Sequence, residues 1–334
     1  CDKGRFGYHF TDKGNRLLEP MLRVDRELKP VSWEKALDIA AEKMREAGGE
    51  LLTYVGGHLS NEDYFNLKSL TDKLGGKIVL DSVMGGGEEV MKLGASKEHN
   101  FSDLEGGDVV LVVGADLEEE APIWNLRLRG AKKIGVKVIA VGARPTKTDQ
   151  FASQVIRIEY GQESAAVAAL TSAGSAKKPD QGDLVKKLVS NKVIKAAAKI
   201  IDDAENLVVV YGSDGMGLRA SGELAKACAS LLVSKGHNGN LIAAWDKGNV
   251  MGAWEMGIRP TDDVGTEFRK AKTTYIVGAN PGKIAKKADF TIVQDVRLSE
   301  TAKEADLVLP VLVYTERDGS YTSGERRVQR YYPA

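Results

Sequence analysis

The sequence predicts an α/β protein built from two doubly wound domains, each with a parallel sheet. Runs rich in β-branched residues alternate with amphipathic helical patterns along most of the 334 residues, and this alternation is typical of parallel strands joined by helical crossovers. Three of the runs end in Gly, a small residue and Asp or Asn, at residues 114–116, 212–214 and 278–280. Because ligands of open α/β sheets bind beyond the carboxyl ends of the strands, these endings predict a nucleotide-like cleft.

The first predicted elements follow a short irregular region. Residues 1–30 contain Gly and Pro without a sustained period, so we expect an irregular N-terminal segment. Ser32 has the position of an N-cap for an amphipathic helix that ends near Ala47. Residues 51–57 predict a strand, and Asn61 begins a second helical pattern. The later strand-like runs are KIVLD (77–81), DVVLVVGAD (108–116), KVIAVGAR (137–144), NLVVVYGSD (206–214) and TTYIVGANP (273–281).

The predicted domain boundary lies in the stretch AGSAKKPDQGD between Ala173 and Asp183. Its small, polar, Pro- and Gly-containing composition is typical of a linker or an exposed loop. We therefore expect an N-terminal segment (1–30), a first α/β domain (31–175) and a second α/β domain (185–334).

Composition narrows the possible partners and the compartment. Lys plus Arg equals Asp plus Glu at 47 each, so no basic field favours nucleic acid as a partner. No apolar run reaches the roughly 18 residues that span a bilayer, and the first ten residues lack the layout of a signal peptide. Two cysteines far apart in sequence, Cys1 and Cys228, fit a reducing compartment. We expect a cytoplasmic protein without direct membrane insertion.

Most motifs that suggest chemistry also have a simpler structural interpretation. Gly212–Gly217 has the spacing G-x-x-G-x-G rather than that of the dinucleotide-binding turn, so a glycine-rich strand-to-helix turn is favoured. The carboxylates Glu118, Glu119 and Glu120 could bind a cation, but before Pro122 they fit a helix N-terminus better. Cys228 lies on an apolar helical face and is expected in the core. The four histidines have no partner at helical spacing, which argues against a metal or acid–base site: His9, His58, His99 and His237.

The first residues resemble a cluster-binding segment of a known superfamily. Cys1-x-Lys3-Gly4-Arg5-Phe6 is similar to the segment of molybdopterin oxidoreductases in which the fourth cysteine of a [4Fe–4S] cluster precedes Lys-Gly-Arg-Phe. The resemblance implies that Cys1 is one metal ligand, that the other three cysteines precede this chain, and that Lys3 is a relic of the contact between cluster and pterin. Further segments extend the resemblance along the chain, at residues 60–63, 114–116, 131–133, 142–144, 278–281, 300–310 and 315–320. It implies two Rossmann-like domains of the molybdopterin-oxidoreductase type.

Within that superfamily, one stretch resembles a particular subfamily. Glu120–Arg129 is similar to the E-A-P-x-x-N-x-R-x-R stretch of the large iron–sulfur subunit of respiratory complex I. Catalytic relatives place a cysteine, selenocysteine or serine ligand to molybdenum in a region that here covers residues 80–87, where Ser82 is the sole candidate oxygen ligand and no thiol is present. The Pro-Arg-x-Thr element becomes residues 142–148, with Arg144 before Pro145. Relatives continue past the segment matching Thr315–Gln329, so the resemblance implies a further C-terminal lobe in them.

The resemblance implies a module without an active site of its own. It would support electron transfer from NADH through iron–sulfur clusters to quinone, without molybdenum or bound pterin and with no catalytic residue. Its partners would be the other subunits of the complex I peripheral arm, on the cytoplasmic side of the bacterial inner membrane. Two alternatives remain open: a catalytic molybdenum- or tungsten-pterin oxidoreductase of the formate dehydrogenase kind, and a nucleotide-binding α/β protein that shares only the fold.

Overall fold

A computed structural model describes residues 5–11, 16–94, 101–173 and 182–334. The chain forms two compact units. Unit 1 comprises the described residues of Cys1–Ser82, Lys247–Ser323 and Val328–Ala334, and unit 2 comprises those of Val83–Asp246 and Gly324–Arg327. Most of unit 2, Val83–Asp246, is therefore inserted in sequence between two parts of unit 1.

Unit 1 contains a seven-stranded sheet with the order β2-β1-β12-β11-β10-β3-β4 and a separate hairpin, β13-β14. The five strands from β12 to β4 are parallel, whereas β1 pairs antiparallel with both β12 and β2. The strands are β1 (Met21–Val24), β2 (Glu27–Pro30), β3 (Leu51–Gly56), β4 (Lys77–Asp81), β10 (Thr273–Val277), β11 (Phe290–Asp295), β12 (Leu307–Pro310), β13 (Gly319–Thr322) and β14 (Val328–Tyr331).

Four of the five described helices of unit 1 begin after a polar residue whose side chain accepts from a free backbone N–H group. The Ser32 hydroxyl accepts from the Lys35 amide at 3.3 Å, and Ser60 and Asp63 form a reciprocal capping box. Their apolar faces cover a core that includes Tyr54 and Phe268, whose ring centroids are 5.2 Å apart. The helices are α1 (Trp33–Ala47), α2 (Asn61–Lys73), α10 (Val250–Glu255), α11 (Val264–Lys270) and α12 (Glu300–Glu304).

Unit 2 contains a five-stranded, fully parallel sheet with the order β7-β6-β5-β8-β9. Its strands are β5 (Val109–Val113), β6 (Lys137–Gly142), β7 (Gln154–Arg157), β8 (Leu207–Tyr211) and β9 (Leu241–Ala243). Every residue of β5 and β8 is buried, as expected for central parallel strands covered on both faces. This order is that of a doubly wound fold, and its direction reverses between β5 and β8.

Seven helices and several single turns complete the described elements. The helices of unit 2 are α3 (Gly87–Leu93), α4 (Leu117–Glu120), α5 (Pro122–Ala131), α6 (Glu163–Ala173), α7 (Asp183–Ser190), α8 (Lys192–Asp202) and α9 (Leu218–Ser234). The 3₁₀ turns of the two units are Gly7–Phe10, Gly48–Glu50, Lys132–Ile134, Lys147–Gln150, Gly282–Lys287 and Tyr314–Glu316. Among the described residues, no helix has both the length and the apolar character needed to cross a membrane.

The predicted fold class is confirmed: both sheets have parallel cores with helical crossovers. The sheets divide the chain differently from the predicted domains 31–175 and 185–334, because β3 and β4 pair beside β10 and not with β5. Most of the stretch that we predicted as a linker, residues 174–181, lies outside the described residues.

The N-terminal segment requires a correction. We expected residues 1–30 to be irregular, but β1 and β2 form an antiparallel hairpin in register from Met21↔Pro30 to Val24↔Glu27. Its turn places Asp25 and Arg26 at φ values of 52° and 71°. The hairpin extends the sheet because β1 pairs with β12 through Met21 and Leu22.

Candidate functional site

The carboxyl ends of β5, β6 and β8 meet at one edge of the unit 2 sheet. These three strands are neighbours and parallel, so the segments that follow them come together at the point where the strand order reverses. The segments are Gly114-Ala115-Asp116, Gly142-Ala143-Arg144 and Gly212-Ser213-Asp214. Two of them are the Gly-x-Asp endings from which the sequence predicted a cleft.

Glycine permits the close approach of the segments after β5 and β8. Gly114 has a φ of +56°, and a Cβ added to Gly212 would lie 2.8 Å from both the Gly114 carbonyl oxygen and the Ala115 Cβ. The Asp214 amide donates to the Gly114 carbonyl at 2.9 Å. Larger residues would separate the two segments, so these glycines hold Asp116 and Asp214 at the same edge.

Arg144 joins the two aspartates in an ion-pair network. Its Nη1 lies 2.8 Å from Asp116 Oδ2, while Nε and Nη2 donate to the two carboxylate oxygens of Asp214 at 2.9 and 3.2 Å. The Arg144 side chain is 41% exposed, whereas that of Asp116 is only 10% exposed. We call Asp116, Glu120, Arg144 and Asp214 the strand-end site.

Glu120 is a partly buried acid of the strand-end site. Burial raises the pKa of Glu120 to about 8, and the negative charges of Asp214 and Asp116 act in the same direction, against the guanidinium of Arg144. Glu120 Oε2 and Asp116 Oδ1 are buried and have no hydrogen-bond partner within the part of the chain that the structure describes. The site therefore holds three carboxyl groups against one guanidinium.

Two further ion pairs border the strand-end site. Lys147 Nζ lies 2.7 Å from Glu118 Oε1, and the same carboxylate accepts from Asn125 Nδ2 at 2.7 Å. These contacts lower the pKa of Glu118, first through the hydrogen bond from Lys147. On the other side, Arg157 pairs with Asp149 at 2.5 Å. The cations around the site are thus already engaged by carboxylates of the same unit.

The cavity at the strand-end site is small. Its volume is ≈ 10 Å³, and its walls include Gly114, Arg144, Thr148 and Asp214. About one water molecule would fill that volume, whereas sites for drug-sized ligands usually enclose about 300–1,000 Å³. The excess of carboxylates also opposes the binding of phosphates. The residues as arranged do not fit a pterin nucleotide.

The segment matched to the molybdenum ligand of catalytic relatives is tightly packed. Within unit 2, the Gly85 amide donates to Ser221 Oγ at 2.9 Å, and the Tyr211 hydroxyl donates to the Gly85 carbonyl at 3.1 Å. Gly86 has a φ of +97°, and a Cβ there would lie 2.3 Å from the Ala225 Cβ. Ser82 itself is 8% exposed, and its hydroxyl is a harder donor than the thiolates that suit soft metals.

The other candidate residues have different outcomes. Cys1 and Lys3 lie outside the described residues, as does His99, so the predicted metal ligand stays a prediction.

Cys228 is fully buried on α9, and burial raises the pKa of its thiol, which confirms a core residue. Gly212–Gly217 forms the turn between β8 and α9, as expected for the simpler interpretation. No group of three or more His, Cys, Asp or Glu among the described residues is placed to hold a metal ion.

Two residues of the site have roles that the sequence did not predict. Glu120 lies just before the helix that begins at Pro122, as predicted, but its position beside Asp116 and Asp214 was not predicted. Arg144 was considered only as part of an altered pterin motif, yet it links two aspartates from other strands. The alternation of strands and helices predicts parallel strands but not their order. The strand order is needed to infer that the ends of β5, β6 and β8 meet.

Comparison with protein families gives one match over most of the chain. Residues 16–334 match the family model described as molybdopterin oxidoreductase. A solved structure, acetylene hydratase from Pelobacter acetylenicus, superposes with a TM-score of 0.71 over 96% of this chain and 58% of that chain. At 16% identity, this likeness concerns the fold alone.

The curated relatives include formate dehydrogenases, NADPH-Fe(3+) oxidoreductases and subunits of NADH-quinone oxidoreductase. The F420-dependent formate dehydrogenase subunit alpha of Methanocaldococcus jannaschii is 24% identical, over 98% of this chain and 60% of the relative. A subunit of the NADH-quinone oxidoreductase of Streptomyces coelicolor is 25% identical, over 100% of this chain and 45% of the relative. The chain thus spans about half the length of these two relatives, and both are about equally similar to it.

Proposed function

The chain belongs to the molybdopterin oxidoreductase family, and from this premise we propose that it is a non-catalytic module of the large iron–sulfur subunit of an NADH-quinone oxidoreductase. In this proposal, iron–sulfur clusters carry electrons from NADH toward quinone. The α/β units contribute burial and docking surface around that path. The partners are the other subunits of the peripheral arm, on the cytoplasmic side of the membrane.

The proposal rests on the ion pairs that occupy the strand-end site. In open α/β sheets this crevice is where a nucleotide would bind, yet here Arg144 pairs with both Asp116 and Asp214. A ligand would have to break these pairs and leave both carboxylates without a cation, which costs about 1–2 kcal/mol at this partly exposed network. A small cavity and three carboxyl groups therefore support a module that does not bind a pterin nucleotide.

The segment at residues 80–87 supports the same proposal. Catalysis at molybdenum in this family is associated with a protein ligand in this region, and the segment offers no thiol. Its glycines pack against Tyr211 and α9, so they do not line an open space.

Cys1 is the residue through which the chain would contact a cluster. In the proposal, its Sγ ligates one iron of a [4Fe–4S] cluster, and the remaining ligands come from outside this chain. A thiolate is the ligand that such clusters use. Lys3 has no catalytic task in this arrangement.

A second candidate is a molybdenum- or tungsten-pterin oxidoreductase of the formate dehydrogenase kind. Formate dehydrogenase alpha subunits are 24–26% identical over 98–99% of the chain, so sequence similarity favours neither role. A third interpretation, a nucleotide-binding protein that shares only the fold, is not supported, because the family model matches residues 16–334.

Metal and pterin analysis of the purified full-length protein separates the two candidates. We expect iron and sulfide without stoichiometric molybdenum or tungsten, and no fluorescent pterin after oxidative release. Stoichiometric molybdenum or tungsten together with pterin would overturn the non-catalytic proposal. The Cys1→Ala variant tests the cluster assignment separately: loss of iron and of the reduced-cluster EPR signal is expected, and an unchanged signal would reject it.

A further inference from the structure

Helix α5 (Pro122–Ala131) is anchored in unit 2 by one side only. Leu128 is fully buried, and the Trp124 ring packs on Phe101 with centroids 5.0 Å apart. Asn125 is 4% exposed and accepts from the Thr148 hydroxyl at 3.0 Å. These contacts pack one side of the helix against unit 2 and leave its outer side exposed.

The outer side of α5 is apolar along its centre. Ile123, Leu126 and Ile134 are 45%, 53% and 59% exposed. Ile123, Leu126 and Gly130 are spaced three and four residues apart, which places them on one face of the helix. Ile134 continues this strip in the turn Lys132–Ile134. We call Ile123, Leu126, Arg127, Gly130 and Ile134 the α5 face.

Gly130 has no role that the fold of unit 2 explains. A Cβ added there would meet no atom within 4 Å, and the residue lies in regular helix without a positive φ. Glycine in a helix interior lowers stability relative to alanine. On a helix surface, however, a missing side chain lets a second helix approach closely. The residue therefore points to a packing partner outside unit 2.

Unpaired cations flank the apolar strip. Arg127, Arg129, Lys132 and Lys133 are all exposed, and among the described residues no ion pair or hydrogen bond engages the side chains of Arg127, Lys132 or Lys133. Glu118, the acid that interacts with Arg129, is already bonded to Lys147 and Asn125. The α5 face thus has an apolar centre and positive flanks.

We propose that the α5 face is a docking surface for an amphipathic helix of a partner protein, with an apolar stripe bordered by carboxylates. The unpaired cations set the charge of the partner, and the exposed aliphatic residues and Gly130 set its shape. Three aliphatic side chains without an exposed aromatic residue are a small area for insertion into a lipid surface. The inference goes beyond the proposed function, since it holds whether or not the module binds molybdenum.

The test uses two synthetic helical peptides and the full chain. Both peptides carry leucines at i, i+3, i+4 and i+7; one has glutamates on both flanks, and the other has lysines. Fluorescence anisotropy should show binding of the acidic peptide alone, with an affinity that falls as salt is raised. Leu126→Asp and Arg127→Glu should each weaken binding about tenfold or more. Phe65→Asp, at an exposed residue of α2 in unit 1, is the matched control and should leave binding unchanged.

Several outcomes would overturn the inference. The lysine peptide could bind as well as the acidic one, or both variants, folded by circular dichroism, could retain wild-type affinity. Sedimentation could show self-association that Leu126→Asp abolishes, which would assign the face to a second copy. Cosedimentation with vesicles of anionic phospholipid, lost in Arg127→Glu, would assign it to a membrane surface.

Discussion

The guanidinium of Arg144 donates to both carboxylate oxygens of Asp214, at 2.9 and 3.2 Å, although 70 residues separate the two in sequence. Replacing Arg144 by Leu should lower the free energy of unfolding by about 1–2 kcal/mol, because Asp116 and Asp214 lose their cation. The 41% exposure of Arg144 keeps the effect below that of a fully buried pair. Urea denaturation measures the change.

A matched control for Arg144 is available on an exposed helix. Arg219 pairs with Glu223 at 3.1 Å, with both side chains more than half exposed. Arg219→Leu should change stability by less than about 0.5 kcal/mol. If the two variants were equally stable, the network at the strand-end site would contribute no more than a surface ion pair.

Glu120 should make the protein less stable as pH rises. The folded-state pKa of Glu120 is raised from 4.5 to about 8, so the folded chain holds a proton that the unfolded chain releases. Its contribution is fully present below pH 4.5 and is lost as pH rises through 8. Glu120→Gln should therefore be more stable than wild type at pH 9, by about 2 kcal/mol after allowance for partial exposure. Urea melts at pH 5, 7 and 9 test this.

Glu118, two residues away, should change the stability of the protein with pH in the opposite direction. Its folded-state pKa is lowered by the hydrogen bond from Lys147, so its contribution is present above pH 4.5 and is lost as pH falls. Glu118→Gln should be less stable than wild type at pH 7 and similar to it at low pH. If the stability of Glu120→Gln and Glu118→Gln, relative to wild type, changed with pH in the same direction, the assigned environment of Glu120 would be wrong.

Substitution by alanine should change the stability of the protein in opposite directions at two glycines of unit 2. Gly212→Ala places a Cβ 2.8 Å from the Gly114 carbonyl oxygen, so the segments after β5 and β8 must separate, at a cost of about 1–3 kcal/mol. Gly130→Ala meets no neighbour and should stabilise the isolated chain by about 0.5–1 kcal/mol through helix propensity. Thermal unfolding measures the change in stability of both variants. Destabilisation by Gly130→Ala would contradict the open space beside Gly130 on α5.

Replacing Asn249 by aspartate should destabilise the protein. Its fully buried Nδ2 donates to the Leu59 carbonyl at 2.7 Å and to Asn61 Oδ1 at 3.1 Å, while its Oδ1 accepts from the Thr322 amide. A carboxylate would face two acceptors, so Asn249→Asp should cost about 3 kcal/mol at pH 7. Denaturation at low pH should recover part of the loss.

Asn191 is the control for this change. It is an exposed N-cap whose side chain accepts from the Val193 amide at 2.8 Å. Aspartate caps a helix as well as asparagine does, so Asn191→Asp should remain within about 0.5 kcal/mol of wild type. Equal losses in the two variants would show that the donor role of Asn249 is unimportant.

Local signals in the sequence predicted local structure well. Ser32 correctly marked the start of α1, and the run KIVLD matches β4 from Lys77 to Asp81. The hairpin of β1 and β2 was missed because each strand has four residues and its turn uses Asp25 and Arg26 at positive φ, without glycine. Turn signatures based on glycine or asparagine do not detect such a connection.

Long-range arrangement was harder to predict. Periodicity identifies a strand but not its neighbour, so nothing local indicates that Leu51 pairs with Thr273. The same limit applies to the site: the endings at Asp116 and Asp214 predicted a crevice, but its occupation by Arg144 depends on strand order. Burial of Glu120 depends on packing around α4, which the local charge pattern does not reveal.

The insertion of unit 2 within unit 1 has a consequence for synthesis on the ribosome. All five strands of the unit 2 sheet are made before residue 247, so that sheet can assemble as soon as its segment has emerged. The unit 1 sheet must wait, because β3 and β4 acquire their neighbour β10 only after the whole of β5 to β9 has been translated. During that interval the apolar strands β3 and β4 are exposed to misassembly, and early folding of unit 2 shortens the effective loop that unit 1 must close.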